Sequence, residues 1–163
     1  MSTVASLVVG RDGSTSKGKS SNGVSSDADR SAFLIRRRKV DCILIGGNTA
    51  RHEPYKQTPV PLVIISRSTI NPVAGNDLSH LWNLSPAEAL EKARKTFGER
   101  VLIEAGVSII FELVEQGLID QLDLSVTPVM GGENQIDWRA LLNKFATNTV
   151  TRIDGTEFYV AHN

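Results

Sequence analysis

Apolar positions along this chain come in two rhythms. Residues 3–9, 41–45, 61–66 and 100–103 are short, continuous runs rich in Val, Ile and Leu. Runs of that kind suit strands covered on both faces. Residues 121–127 alternate instead, with Leu122, Leu124 and Val126 between polar neighbours, and read as a further strand closed by Pro128. Three other stretches carry helical spacing. Residues 27–39 begin among Ser and Asp residues that can cap, then run through Phe33, Leu34 and Ile35. Residues 85–97 open on Ser-Pro-Ala-Glu, a cap followed by a first-turn proline and an acidic residue three places on. Residues 107–115 place Val107, Ile110, Phe111 and Val114 on one face, with Gly117 as a stop. Gly131-Gly132 marks a turn. Near the end, Asp154-Gly155 separates two strand-like runs, 147–153 and 156–160, which is a strong hairpin signal. Strands alternating with helices predict an α/β fold, a three-layer α/β/α sandwich. Its central sheet is mixed and mostly parallel, with an antiparallel C-terminal hairpin.

Composition narrows the picture. The chain has 163 residues, without a repeat or a linker, and is expected to form one domain over 1–163. Lys plus Arg and Asp plus Glu are both 18, which gives no basic excess for nucleic acid. The one dense basic run, Arg36 to Lys39, reads as solvated helix surface with a single arginine turned inward. Cys42 lies inside an apolar run and is expected to be a buried, inert thiol. The start of the chain lacks a basic flank, and no apolar run reaches membrane-spanning length, so a cytoplasmic protein with no membrane partner is expected. His52, His80 and His162 are scattered, and no metal site is expected.

Residues 13–20, GSTSKGKS, match the phosphate-cradling pattern G-x-x-x-x-G-K-S letter for letter. The pattern needs its Lys-Ser to open a helix directly, so that the first amides meet the phosphate. Here Ser21-Asn22-Gly23-Val24-Ser25-Ser26 intervenes, and the helix begins near Asp27. The stretch is therefore expected to be a loop between the first strand and the first helix, with Lys19, Ser20 and Ser21 as candidates for meeting a substrate phosphate.

Three other loops follow predicted strands, where ligands bind in open α/β sheets. They are Gly46-Gly47-Asn48-Thr49, Ser66-Arg67-Ser68, and Glu104 to Ser108, the last of which opens a helix. Glycines let the backbone approach a ligand closely, and free amides at a helix start suit a phosphate or pyrophosphate. Three such loops favour a long, multiply charged ligand such as a dinucleotide. Ser66, Arg67 and Ser68 suit an additional phosphate.

These motifs occur in an order that resembles a known family. They are Gly10-Arg11-Asp12-Gly13 after the first strand, Val24-Ser25-Ser26, an arginine-bearing helix, Asp41 to Pro54 around Gly46 and Thr49, a strand ending in Ser66, Val101 to Gly106, Gly117 to Leu122, and Pro128 to Gly132. The chain resembles the reductase domain of riboflavin biosynthesis, the C-terminal half of a bifunctional pyrimidine deaminase/reductase, with a dihydrofolate reductase-like fold. The resemblance implies an NADPH-dependent reductase that turns the ribosyl group of a ribosylaminopyrimidine phosphate into ribityl. It implies cofactor contacts at Gly46, Gly47, Thr49, Glu53, Ser66, Arg67, Gly106, Val107 and Ser108. Ser21 and Arg37 would face the substrate phosphate, and Glu104 the pyrimidine or sugar. Asp12 would be a sugar contact or proton source. A homodimer is also implied.

The chain departs from the family pattern mainly on the substrate side. Gly10-Arg11 stands where Ser-Leu is usual, and Ala105 replaces a glycine, at about 1 kcal/mol if the position needs positive φ. No arginine follows in Gln57-Thr58-Pro59-Val60. A reductase of the same fold acting on another small substrate such as a pterin, and a nucleotide-binding protein without catalysis, remain as alternatives.

Overall fold

The structure is a computed structural model that describes residues 2–104 and 106–163. Its centre is an eight-stranded sheet built from β1 (Ser2–Gly10), β2 (Cys42–Gly46), β3 (Leu62–Ile65), β4 (Ser79–Trp82), β5 (Arg100–Ile103), β6 (Gln121–Thr127), β7 (Thr147–Ile153) and β8 (Thr156–His162). The strand order is β4-β3-β2-β5-β1-β6-β8-β7. All neighbours are parallel except β8, which runs antiparallel to both β6 and β7. The two hairpin strands meet at Asp154 and Gly155, both at positive φ (50° and 81°), as a tight two-residue hairpin loop requires.

The helices are α1 (Asp27–Arg37), α2 (Gly47–His52), α3 (Pro86–Phe97), α4 (Val107–Glu115) and α5 (Trp138–Leu142). One sheet face packs Leu44, Val101, Ile103, Leu122 and Leu124 against Leu90 of α3, Ile110 and Leu113 of α4, and Trp138 and Leu141 of α5. On the other face, Ile43, Ile45, Leu62, Ile64 and Leu102 pack under Ala50 of α2, Tyr55 and Val73. Beside that cluster α1 is tied down by Arg36, which bonds Ser6 Oγ of β1 and pairs with Asp123 of β6 at 2.9 Å. The result is the three-layer mixed sandwich that the apolar rhythm predicts.

Local chemistry explains where the helices begin and end. Ser85 and Glu88 form a reciprocal capping box at the start of α3, and Pro86 fills its first position. Gly117 (φ 67°) ends α4: Leu118 N–H reaches Leu113 O and Gly117 N–H reaches Val114 O, the paired bonds of a Schellman turn. The apolar triple Phe33-Leu34-Ile35 suggests an apolar inner face for α1, but Leu34 and Ile35 are exposed. The buried positions of α1 are Asp29 and Arg37. With Phe33 they form an i, i+4, i+8 stripe, because this helix walls a cleft rather than a core. The sequence reading leaves out α2, α5 and β4. The Gly46–Thr49 stretch, expected as a loop, is the end of β2 and the first turn of α2. No helix among the described residues is long and apolar enough to cross a membrane.

Candidate active site

Three neighbouring strands, β3, β2 and β5, end side by side with Ser66, Gly46 and Glu104 just at or beyond their tips. Above them lies a cleft of about 1550 Å³, walled by α1, the 15–22 loop and the first turns of α2 and α4. The glycines are needed for close approach. A Cβ on Gly46 would lie 2.9 Å from Ile109 Cδ1, and one on Gly47 2.9 Å from Ser66 Oγ. Gly106 is the N-cap of helix α4 and supplies no side-chain cap, so among the described residues no side chain serves the first amides, at Val107 and Ser108. That is the arrangement that favours a phosphate.

The expected site residues are brought together in part. Gly46 lines the cleft from the end of β2, Gly47 and Thr49 from α2, and Gly106, Val107 and Ser108 from the cap and first turn of α4. Ser66 and Arg67 line an adjoining hollow of about 520 Å³ with Asn83 and Ser85. Ile65 borders both spaces. Glu53 lines the cleft, but its carboxylate accepts from Ser21 N–H at 2.8 Å and Ser20 Oγ at 3.2 Å, pinning the loop that carries both serines.

Two expectations change. Arg37, expected to grip a phosphate, grips Glu104. Its Nε donates to Glu104 Oε1 at 2.9 Å and its Nη2 to Oε2 at 2.7 Å. The two side chains are only 9% and 2% exposed. The Arg37 guanidinium also lies 4.2 Å from the Phe33 ring centre and 4.9 Å from that of Tyr55. Burial works against the charged arginine, yet the Glu104 carboxylate outweighs it and the Arg37 pKa is raised. Asp12, expected at the reaction centre, lines neither space. Its carboxylate is spent on Gly131 N–H at 2.8 Å, on the Ser14 hydroxyl at 2.7 Å and amide at 3.1 Å, and on Gln135 Nε2 at 3.1 Å. The Gly131 amide, then the two Ser14 donors, lower its pKa to about 2. Asp12 is a clasp between the first loop and the 131–135 segment. The expected cost of Ala105 falls outside the described residues.

The GSTSKGKS stretch does not form the phosphate-cradling loop that its letters spell, because no helix follows it directly. Lys17 and Ser20 pair across a turn whose central residues, Gly18 and Lys19, are at φ 64° and 66°. A 3-10 turn over Ser21–Gly23 follows, and α1 begins only at Asp27. A protein carboxylate already occupies the loop: Glu133 accepts from Gly18 N–H at 3.1 Å and Ser16 Oγ at 3.0 Å. The Ser16 hydroxyl first, with the Gly18 and Lys19 amides, lowers the Glu133 pKa. Sequence reasoning missed Glu133, which is separated from the loop by more than a hundred residues. It also missed Tyr55 and Phe33. The Phe33–Arg37 spacing of i, i+4 was the available signal for the latter.

The family described as the RibD C-terminal domain matches residues 3–137. The chain belongs to that family. Among curated proteins none matches the sequence. Solved structures with the same fold include a pyrimidine reductase-like protein from Corynebacterium diphtheriae, with TM-score 0.72 and 14% identity over 99% of this chain and 91% of that one. Acinetobacter baumannii RibD aligns with TM-score 0.70 and 16% identity over 99% of this chain and 57% of that one. A Thermotoga maritima diaminohydroxyphosphoribosylaminopyrimidine deaminase/5-amino-6-(5-phosphoribosylamino)uracil reductase aligns with TM-score 0.67 and 12% identity over 99% of this chain and 56% of that one. The chain thus spans just over half of the latter two. At these identities the likeness establishes a dihydrofolate reductase-like fold.

Proposed function

We propose that this chain is an NADPH-dependent reductase of a ribosylaminopyrimidine phosphate in riboflavin biosynthesis, working as a cytoplasmic homodimer of one reductase domain. The observation that carries the reading is the convergence of three strand ends and an uncapped helix start on one cleft with the Glu104 carboxylate in its wall. Family membership points to the same chemistry. The cleft exceeds the roughly 300–1,000 Å³ that one small ligand fills, which suits a cofactor and a substrate side by side. The exposed outer strand β7, with Val150 and Ile153 about half accessible, offers a surface for a second copy.

The residues present fit a nicotinamide dinucleotide. The Val107 and Ser108 amides would take its pyrophosphate, and Gly46, Gly47 and Thr49 would let it lie close to the sheet. Ser66 and Arg67, in the adjoining hollow, would hold the additional phosphate that distinguishes NADPH. When bound, the cofactor supplies a hydride to the opened sugar carbon. The protein's work is to hold the two reactants in register and to exclude water from between them. Glu104, which lines the cleft, would be an acceptor for a substrate N–H or O–H. With Arg37 spent on Glu104, the substrate phosphate falls to Lys19 and Arg30. Both line the cleft and form no ion pair among the described residues. Ser21 lines the same cleft.

Titration with NADPH and with Mg-ATP, followed by protein fluorescence, tests the cofactor assignment. Micromolar NADPH binding that weakens on Arg67→Ala is the expected result. Tight Mg-ATP binding lost on Lys19→Ala would overturn it.

A further inference from the structure

Tyr55 is 4% exposed, yet it touches the cleft. Its hydroxyl donates to Glu104 Oε2 at 2.7 Å. Its ring centre lies 4.9 Å from the Arg37 guanidinium, which also packs on Phe33 at 4.2 Å. The backbone behind it is held in turn, because Asn76 Nδ2 donates to Tyr55 O at 3.1 Å. The donors on Glu104 are unevenly shared. Oε2 receives Tyr55 Oη, Arg37 Nη2 and, at 3.2 Å, Arg37 Nε. Among the described residues Oε1 receives only Arg37 Nε. A carboxylate oxygen can accept two hydrogen bonds, so among these donors Oε2 is saturated and Oε1 keeps a lone pair. The carboxylate cannot rotate without breaking three bonds at once. It already meets three donor hydrogens, which hold it as an acceptor in a fixed orientation.

We propose that Tyr55 is a positioning residue that aims Glu104 Oε1 at the substrate, so that this chain recognises an N–H or O–H donor on the pyrimidine or sugar through a carboxylate locked by Tyr55 and Arg37. The inference rests on the reading of Glu104 as the substrate contact of a reductase. It assigns Tyr55 no contact with the substrate.

The test is a double-mutant cycle of Tyr55→Phe and Glu104→Gln. Each form is assayed for kcat and KM with the ribosylaminopyrimidine phosphate and for the Kd of NADPH. The Arg37 Nε–H resonance of each free protein is recorded by NMR. Loss of one charge-assisted hydrogen bond is expected to lower kcat/KM about tenfold in Tyr55→Phe, mainly through KM, with NADPH affinity within about twofold. In the Glu104→Gln background the same change should move kcat/KM by less than about twofold, because the group through which Tyr55 acts is gone. A merely structural tyrosine would give equal effects in both backgrounds, and that result would overturn the proposal. If the wild-type protein oxidises no NADPH with this substrate, the reductase reading fails. The NMR arm then decides the positioning role: a shifted Arg37 Nε–H in Tyr55→Phe supports it, and an unmoved one refutes it. Should Tyr55→Phe fail to fold, 3-fluorotyrosine at position 55 in a Tyr159→Phe background serves instead. Its fluorine resonance is expected to move on Glu104→Gln, and a fixed resonance would refute the coupling.

Discussion

Replacing Arg37 with methionine removes one half of a buried ion pair and leaves the other half in place. Glu104 loses contacts of 2.9, 3.2 and 2.7 Å and keeps the Tyr55 hydroxyl at 2.7 Å. Its side chain is 2% exposed, so water cannot replace the guanidinium without opening the cleft floor. Breaking a buried pair from one side costs about 3–5 kcal/mol, because the remaining charge is uncompensated. For a chain of this length about 2–4 °C of Tm accompanies each kcal/mol, so Arg37→Met is expected to lower Tm by about 10 °C. Arg37→Met/Glu104→Gln removes the charge as well as its partner, and the Gln carbonyl can still accept from Tyr55. The double variant should recover to within about 1–2 kcal/mol of wild type. Urea unfolding followed in parallel by far-ultraviolet dichroism and tryptophan fluorescence measures both, with coincident curves as the two-state check. A loss below about 1 kcal/mol in Arg37→Met would refute the account of the cleft floor. So would a double variant as unstable as the single one.

The clasp at Asp12 predicts a pH dependence. Its pKa is lowered to about 2 from an ordinary value of 3.8, so its stabilisation is complete above about pH 4 and is lost as pH falls through 2. The Tm gap between wild type and Asp12→Ala is therefore expected at neutral pH and should close between pH 4 and 2; a constant gap would contradict it. Glu133→Ala should speed hydrogen exchange at Gly18 by about tenfold or more while leaving β-sheet amides unchanged, since only the loop loses its acceptor. Ser85→Ala should cost about 1 kcal/mol by removing the reciprocal cap of α3, measured as a shift in urea midpoint without a change in slope.

Much of the fold was legible because its elements obey local rules. The buried strands are near-continuous apolar runs, the capping box marks α3 within a residue, and Asp154-Gly155 places the hairpin. The GSTSKGKS match was refused on context, and the late start of α1 bears that out. What stayed hidden depends on distant partners. Helix α2 has no apolar stripe of its own and buries Gly47 and Ala50. Strand β4 has four residues at the sheet edge and alternates weakly. Helix α5 carried a readable signal in Asp137, whose side chain accepts from Ala140 N–H, but it is only five residues long. In the cleft, the glycines and Glu104 singled out in the sequence do lie at the strand tips. The sequence did not reveal that Arg37 and Glu104, 67 residues apart, satisfy each other. Nor did it show that Asp12 is consumed by the 131–135 segment. Side chains that can meet a ligand can also meet one another, and only the tertiary arrangement decides between the two.

The central claim is that this cleft brings NADPH and a ribosylaminopyrimidine phosphate together for hydride transfer. The most direct measurement follows absorbance at the reduced-nicotinamide band while that substrate is added to protein and NADPH. The account predicts substrate-dependent oxidation that falls about a hundredfold or more in Glu104→Ala. No oxidation at high protein concentration, with NADPH shown to be bound, would contradict it.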